Sequence, residues 1–271
     1  MKTKLLERLC PFSGLAVAAL LLAAGCATVP ETGRKQVMLV TGEQETQLGL
    51  SGFDKLKKDQ PISHDAMANA LLQKVGKRIA AVAPLPNAQW EFIVFESKEA
   101  NAFCLPGGKV GVYTGLLPIT RDEAGLATVL GHEVAHAVAH HGAERMSQEM
   151  VRQAGGEVLS SSLSNTDPRT QAIAATVYGL GTQLGAMLPY SRLHESEADN
   201  MGLTYMARAG YDPEAAVGFW QRFADYNKQS GGANVPTFLR THPVDETRIR
   251  QFQELMPRAK QEYQKATGAV R

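Results

Sequence analysis

The stretch from residue 130 to residue 141, LGHEVAHAVAHH, constrains the fold more than any other part of this 271-residue chain. His132 and His136 are four residues apart, and an α-helix turns about 100° per residue, so a helix brings both imidazoles to one face. Glu133 directly follows the first of them. This spacing is typical of two histidines that bind one metal ion, with a carboxylate beside it. The pattern therefore predicts a metal-binding helix.

The residues around the motif predict that this helix is buried. Thr120 and Glu123 fit a capping box at its start, and Gly142 is placed to end it. The helix has a broad apolar face with few charges, and a buried histidine or glutamate needs a partner. His140 and His141, in contrast, are expected at a solvated helix C-terminus, where the helix dipole favours a partly cationic imidazole.

A third metal ligand is expected in HESEAD, residues 194–199. Catalytic zinc takes three protein ligands and leaves one position open. Glu195 and Asp199 are four residues apart and share a helix face, whereas Glu197 points nearly the opposite way and is expected to be a surface charge. Two carboxylates on one buried face need a cation or a donor each. We therefore predict that Glu195 binds the metal and that Asp199 accepts the distal N–H of a histidine ligand.

The first 25 residues have the composition of a secretory signal. Lys2, Lys4 and Arg8 precede a short apolar stretch that ends in LAAGC at Cys26. A small residue before such a cysteine resembles the lipobox of bacterial lipoproteins, which predicts acylation of Cys26 and attachment to a membrane. Ala27 favours the periplasmic face of the outer membrane, because it is not the aspartate that resembles an inner-membrane retention signal. The alternative is ordinary signal cleavage with an incidental cysteine.

Composition and patterning predict an α+β fold, mostly helical, with a small antiparallel sheet next to the metal helix. WEFIVFES and NAFCLPGGKVGVYTG supply the strands of that sheet. The predicted organisation is a signal over 1–25, a tether and first short strand over 26–40, one domain over 41–257, and a polar tail over 258–271. Residues 170–191 carry no charge. A membrane span is conceivable there, but their glutamines, glycines and prolines favour a buried, closely packed helix.

Four motifs together resemble peptidase family M48, the HtpX, Oma and BepA/LoiP group of zinc metallopeptidases. They are NAFCLPGGKVGVYTGLL, HEVAH, ESEAD and THP, in that order along most of the chain. The resemblance implies a gluzincin fold, one zinc ion per chain on His132, His136 and Glu195, and Asp199 behind them. It is nearest to the periplasm-facing lipoprotein branch of the family.

These features predict a zinc endopeptidase of the cell envelope that acts on misfolded or misassembled envelope proteins. Zinc activates a water molecule, and Glu133 serves as general base. A zinc-binding, chaperone-like lipoprotein that does not cut its clients is the alternative, and Glu133 argues against it because binding alone needs no base. A cell-wall amidase is a second alternative, which the strand-like NAFCL segment disfavours. The net charge of +1, without a clustered basic surface, gives no indication of nucleic-acid binding.

Two further segments are predicted to take part in the site. NAFCL is expected to be an edge strand that pairs with an extended substrate, with Asn101, Ala102 and Phe103 as its contacts. His242 of the THP motif is expected at the entrance of a helix that Pro243 begins. It would act as an oxyanion donor, or as a fourth zinc ligand that keeps the enzyme resting under a lid formed by residues 229–236. A purely structural, backbone-bonded histidine is the remaining alternative.

Overall fold

A computed structural model describes residues 26–229, 237–243 and 246–268. The predicted signal, residues 1–25, and most of the predicted lid lie outside these ranges. The strands are β1 (Cys26–Thr28), β2 (Lys35–Val37), β3 (Glu91–Phe95), β4 (Ala102–Leu105) and β5 (Lys109–Tyr113). The helices are α1 (Gly42–Asp59), α2 (Ala66–Ala80), α3 (Leu117–Thr120), α4 (Glu123–Val138), α5 (His141–Ser162), α6 (Pro168–Thr182), α7 (Leu188–Arg208), α8 (Glu214–Gln229), α9 (Thr237–Thr241) and α10 (Glu246–Thr267). This mostly helical α+β arrangement confirms the predicted fold class.

The two ends of the described part of the chain contain more regular structure than the sequence suggests. β1 and β2 form an antiparallel hairpin with Cys26 opposite Val37, so residues 26–40 pack on the body instead of hanging free as a tether. At the other end, α10 continues through Pro257 to Thr267, so most of the predicted polar tail is helical.

The sheet beside α4 has three strands in the order β3-β5-β4. β4 and β5 pair antiparallel across the predicted Pro-Gly-Gly turn, in which Gly107 and Gly108 have φ values of 84° and 81° that favour glycine. β3 pairs parallel to β5, so the sheet is mixed and not purely antiparallel. β4 is therefore an edge strand, as predicted, in the part of the chain that the structure describes.

The metal helix α4 is buried from Gly125 to Val138. Its N-cap is Asp122, whose side chain accepts from the Gly125 N–H, and not Thr120, whose hydroxyl instead donates to a backbone carbonyl in α3. The helix also ends earlier than predicted. His140 has a left-handed backbone (φ 55°), and a new helix, α5, begins at His141.

Two glycines let α4 and α7 approach at backbone contact. A Cβ on Gly202 would lie 2.7 Å from the backbone nitrogen of His132, and a Cβ on Gly131 would lie 2.6 Å from the carbonyl oxygen of Gly202. Backbone atoms cannot move aside as a flexible side chain can. This close approach brings the helix that carries His132 against the helix that carries Glu195.

We expect Gly202→Ala to destabilise the protein and weaken metal binding. The added methyl group must push α4 and α7 apart, and such overpacking lowers the free energy of unfolding by roughly 1–3 kcal/mol. Urea unfolding and zinc content measure the two effects. Gly179→Ala in α6 is the matched control, because its Cβ would meet nothing within 4 Å. Equal stability of the two variants would contradict the proposed constraint.

The uncharged segment 170–191 is not the buried helix that the sequence favoured. No residue of α6 or of the π-helical segment Gln183–Met187 is buried, and Val177, Leu180 and Leu184 are each more than half exposed. Among the described residues, no helix combines the length and apolar character that a membrane crossing requires.

Candidate metal centre and peptidase site

Four buried side chains from three parts of the chain converge on one point. His132 and His136 come from α4, Glu195 from α7, and His242 from the turn after α9. The Nε2 atoms of His132 and His136 are 3.1 Å apart, and the carboxylate oxygens of Glu195 lie 3.3 and 3.4 Å from them. The three ligands predicted from the sequence are thus brought together.

These separations fit a zinc ion. Zinc–nitrogen bonds of 2.0–2.1 Å in a tetrahedron place ligand atoms about 3.3 Å apart, and two histidines with one carboxylate are a common donor set. Oε1 of Glu133, next to this cluster, is buried and accepts no hydrogen bond, although Nε2 of His242 lies 3.3 Å from it. Buried polar atoms normally have one, so this oxygen is suited to meet a water molecule at the metal.

Asp199 lies behind His132, as predicted. Its Oδ1 is 2.9 Å from Nδ1 of His132, although the angle is too poor for a well-formed hydrogen bond. Arg248 of α10 holds the same carboxylate with two contacts of 2.7 Å and reaches Glu195 at 3.2 Å. The guanidinium also stacks over Trp220 at 4.6 Å. Sequence reasoning missed Arg248, because no local spacing connects it to a carboxylate 49 positions away.

Burial and charge set the protonation of the cluster. Burial lowers the pKa of His136 well below its usual value, which keeps this imidazole in the neutral form that binds metals. Against the effect of burial, Asp199 and Glu195 raise the pKa of His132 to about 9. Burial raises the pKa of Glu133, which favours proton acceptance near neutral pH. The buried carboxylates of Glu133 and Glu195, beside the imidazoles of His132 and His136, form a site that attracts a cation.

His242 lies within the ligand cluster. Its Nδ1 is 3.0 Å from Glu195 and 3.1 Å from Nε2 of His132, and its Nε2 is 3.3 Å from Glu133. Its backbone N–H donates to the Phe238 carbonyl at 2.7 Å, so it directly follows α9. Residues 244 and 245, where a helix after Pro243 would begin, lie outside the described residues. The sequence was correct about its proximity to the cluster and missed the short helix α9 that precedes it. The helix start at Pro243 stays a prediction.

His136, the second histidine of the HExxH motif, has a buried partner, His141, which the sequence did not indicate. His141 is fully buried, with its Nδ1 2.7 Å from Nδ1 of His136 and its Nε2 3.0 Å from Glu197. Neither His141 nor Glu197 is the solvated group that was predicted. Burial lowers the pKa of His141 to about 4. At Glu197, His141, Thr32 and Arg34 together outweigh burial and lower the pKa to about 2. His140, by contrast, is partly exposed and contacts Glu45 at 2.6 Å.

The predicted substrate contacts on the edge strand β4 differ in the direction of their backbone groups. Tyr113 donates to the carbonyl of Asn101, and alternate residues of an antiparallel strand face the partner strand. The backbone groups of Ala102 consequently point to the outer edge, where its N–H meets the side-chain oxygen of Asn101 at 3.0 Å. The backbone groups of Phe103 point toward β5, and its ring packs against the rings of Phe53, Phe95 and Tyr113.

Comparison with known proteins agrees with this geometry. Residues 66–256 match peptidase family M48. The chain is 38% identical over 234 residues to the mitochondrial metalloendopeptidase OMA1 of Schizosaccharomyces pombe, covering 85% of this chain and 66% of that protein. It is 32% identical over 240 residues to the mitochondrial metalloendopeptidase OMA1 of Bos taurus, covering 85% and 46%. It is 28% identical over 226 residues to the beta-barrel assembly-enhancing protease of Escherichia coli, covering 82% and 46%. The chain thus spans between about half and two thirds of these relatives.

A buried HExxH helix whose two histidines meet a glutamate from the helix packed against it is an arrangement typical of zinc metallopeptidases. The chain belongs to peptidase family M48, a family of zinc metallopeptidases.

Proposed function

We propose that this chain is a zinc-dependent endopeptidase that cleaves misfolded or misassembled proteins of the cell envelope. The observation that carries the proposal is the convergence of His132, His136 and Glu195 beside a buried Glu133 oxygen that accepts no hydrogen bond. The names of the relatives, which are endopeptidases and a protease, support the activity.

The residues have separate roles in this proposal. A zinc ion, when bound by His132, His136 and Glu195, would supply a Lewis acid that lowers the pKa of water and polarises a peptide carbonyl. Glu133 accepts a proton from the attacking water and delivers it to the leaving amine. Asp199, held by Arg248, orients His132.

A zinc-binding protein that holds clients without cutting them is the second candidate. It would use the same ligands but would have no need for a buried carboxylate with a raised pKa at the position of Glu133. Zinc content and casein cleavage distinguish the two candidates. We expect one zinc per chain, cleavage that a chelator abolishes, and recovery on zinc addition. A chain that binds zinc and leaves casein intact would be the binding protein.

The outer edge of β4 is the proposed binding place for an extended substrate, through β-augmentation. We expect Ala102→Pro to raise KM or abolish casein cleavage while the protein stays folded, because proline removes an outward N–H and leaves the ladder to β5 intact. Phe103→Pro is the contrasting variant, since Phe103 faces β5 and its loss should lower stability. Steady-state kinetics and thermal unfolding report the two effects. Normal kinetics for Ala102→Pro would contradict substrate binding at this edge.

The proposed location is the periplasmic face of the outer membrane, through acyl chains on Cys26. β1 begins at this residue, so the anchor would hold the hairpin and the body close to the membrane. We expect Cys26→Ser to release the protein from the membrane fraction or to stall its processing. Mass spectrometry and fractionation measure this, with Cys104→Ser as the control. Unchanged membrane fractionation and mass of Cys26→Ser would argue against lipidation.

A further inference from the structure

His136 differs from His132 in the group that holds it from behind. Nδ1 of His132 faces the carboxylate of Asp199, whereas Nδ1 of His136 faces another imidazole, His141, at 2.7 Å. His141 is fully buried and lies on α5, a different helix from its partner. The contact therefore depends on the tight link between α4 and α5.

The ring nitrogens allow one consistent assignment of protons along this contact. Nε2 of His136 faces the ligand cluster and must be free of a proton to bind a metal, so its Nδ1 carries the proton. That N–H donates to Nδ1 of His141. His141 must then carry its own proton on Nε2, which lies 3.0 Å from Oε2 of Glu197 and donates to it.

Glu197, at the other end of this series of hydrogen bonds, is contacted by the hairpin of β1 and β2, here called the N-terminal hairpin. Arg34, in the turn between β1 and β2, donates a hydrogen bond of 2.8 Å to Glu197. It donates two more, of 2.7 and 2.9 Å, to the carboxylate of Glu144. The Thr32 hydroxyl also donates to Glu197. Glu144 in turn contacts His194, whose ring stacks on His141 at 4.2 Å. The hairpin thus fixes the carboxylate of Glu197, which contacts His141, and that of Glu144, which contacts the stacking partner of His141.

We propose that His141 is a positioning residue for the zinc ligand His136, and that Arg34 of the N-terminal hairpin completes its support through Glu197. The inference rests on the proposed zinc site and adds a requirement: the site is fully formed only when the hairpin is docked. A segment that begins at Cys26 then controls the orientation of a metal ligand.

The test measures zinc affinity of the full-length holo-protein by competition with a chromogenic chelator. We expect His141→Leu to weaken zinc binding about 10- to 100-fold, as loss of a partner behind a ligand does. His141→Asn should recover part of this loss, because its side-chain oxygen can accept from Nδ1 of His136. His140→Asn is the matched control and should bind zinc as wild type does, since His140 contacts Glu45 instead.

The hairpin is tested with Arg34→Gln, for which we expect a smaller loss of affinity than for His141→Leu. Lys35→Gln is its control, because Lys35 is exposed and, within the described residues, its side chain bonds to Thr28 of the same hairpin. Unchanged affinity in Arg34→Gln would overturn the role of the hairpin. The Arg34→Gln experiment tests the role of the hairpin even if His141→Leu fails to fold.

The absorption spectrum of the cobalt(II)-substituted protein gives a readout that a merely structural role would not move. A changed ligand-field spectrum in His141→Leu, absent in His140→Asn, supports the positioning role. Wild-type affinity and spectrum in a folded His141→Leu would overturn it. Zinc binding without casein cleavage by the wild-type protein would overturn the proposed peptidase activity and leave the positioning role supported.

Discussion

Glu133→Gln is expected to abolish casein cleavage while the zinc content stays at one per chain. The amide has the size of the carboxylate but cannot accept a proton, and general base catalysis contributes about 10²- to 10⁴-fold to such reactions. The side chain lies beside the ligand cluster and supplies none of its four ligand atoms, so its replacement should not release the metal. Casein assays and zinc analysis on the same preparation measure both quantities.

His136→Ala provides the comparison for this result. It removes a ligand atom from the cluster and leaves His141 without its partner, so zinc and activity should both be lost. Full activity in Glu133→Gln would refute the proposed role of Glu133. Loss of zinc in Glu133→Gln would mean that the carboxylate is needed to form the site.

His242→Ala is expected to raise basal cleavage. In the structure, Nδ1 of His242 lies 3.0–3.1 Å from Glu195 and His132, which is the separation of neighbouring ligands on one zinc ion. In this position it fills the coordination place that a water would need, and removing it opens that place. The arrangement favours the resting, four-ligand role over the oxyanion donor, which must face the substrate carbonyl and not the metal.

Kinetics and zinc affinity of His242→Ala separate the three roles considered for this residue. A higher kcat with weaker zinc binding supports the resting ligand. A fall in kcat of about 10²- to 10³-fold with zinc retained would instead identify an oxyanion donor. Lower thermal stability alone would identify a structural histidine. Loss of the ring contact with Phe238, whose centroid lies 4.6 Å from that of His242, makes some loss of stability expected in every case.

The elements that could be predicted from the sequence were those with a local pattern. The four-residue spacing of His132 and His136 determines their shared helix face, and the same spacing relates Glu195 and Asp199. The capping box of Thr41 and Gln44 is another such local pattern, and it opens α1. The Pro-Gly-Gly turn likewise produced the β4–β5 hairpin, because glycine tolerates the positive φ angles that the turn requires.

Features that depend on which surfaces meet could not be predicted in this way. The segment that contains α6 was predicted to be a buried helix because it carries no charge, yet the helix is exposed. The composition of a helix does not show whether another surface of the protein packs against it. His141 was assigned to a solvated helix end because the αL residue His140 gives no sequence signal for a second helix. That break turns the imidazole of His141 inward, onto a metal ligand.

By itself, the sequence determined which side chains we propose for the chemistry: two histidines and a glutamate as metal ligands and a second glutamate as base, each placed by its spacing along a helix. Only the tertiary structure decided what holds that chemistry in place. Gly131 and Gly202 bring the two ligand helices to backbone contact, and Arg248 and Arg34 reach the site from opposite ends of the chain. The physical reason is range: helix periodicity acts over a few residues, whereas close packing and buried ion pairs join residues that only the folded chain brings together.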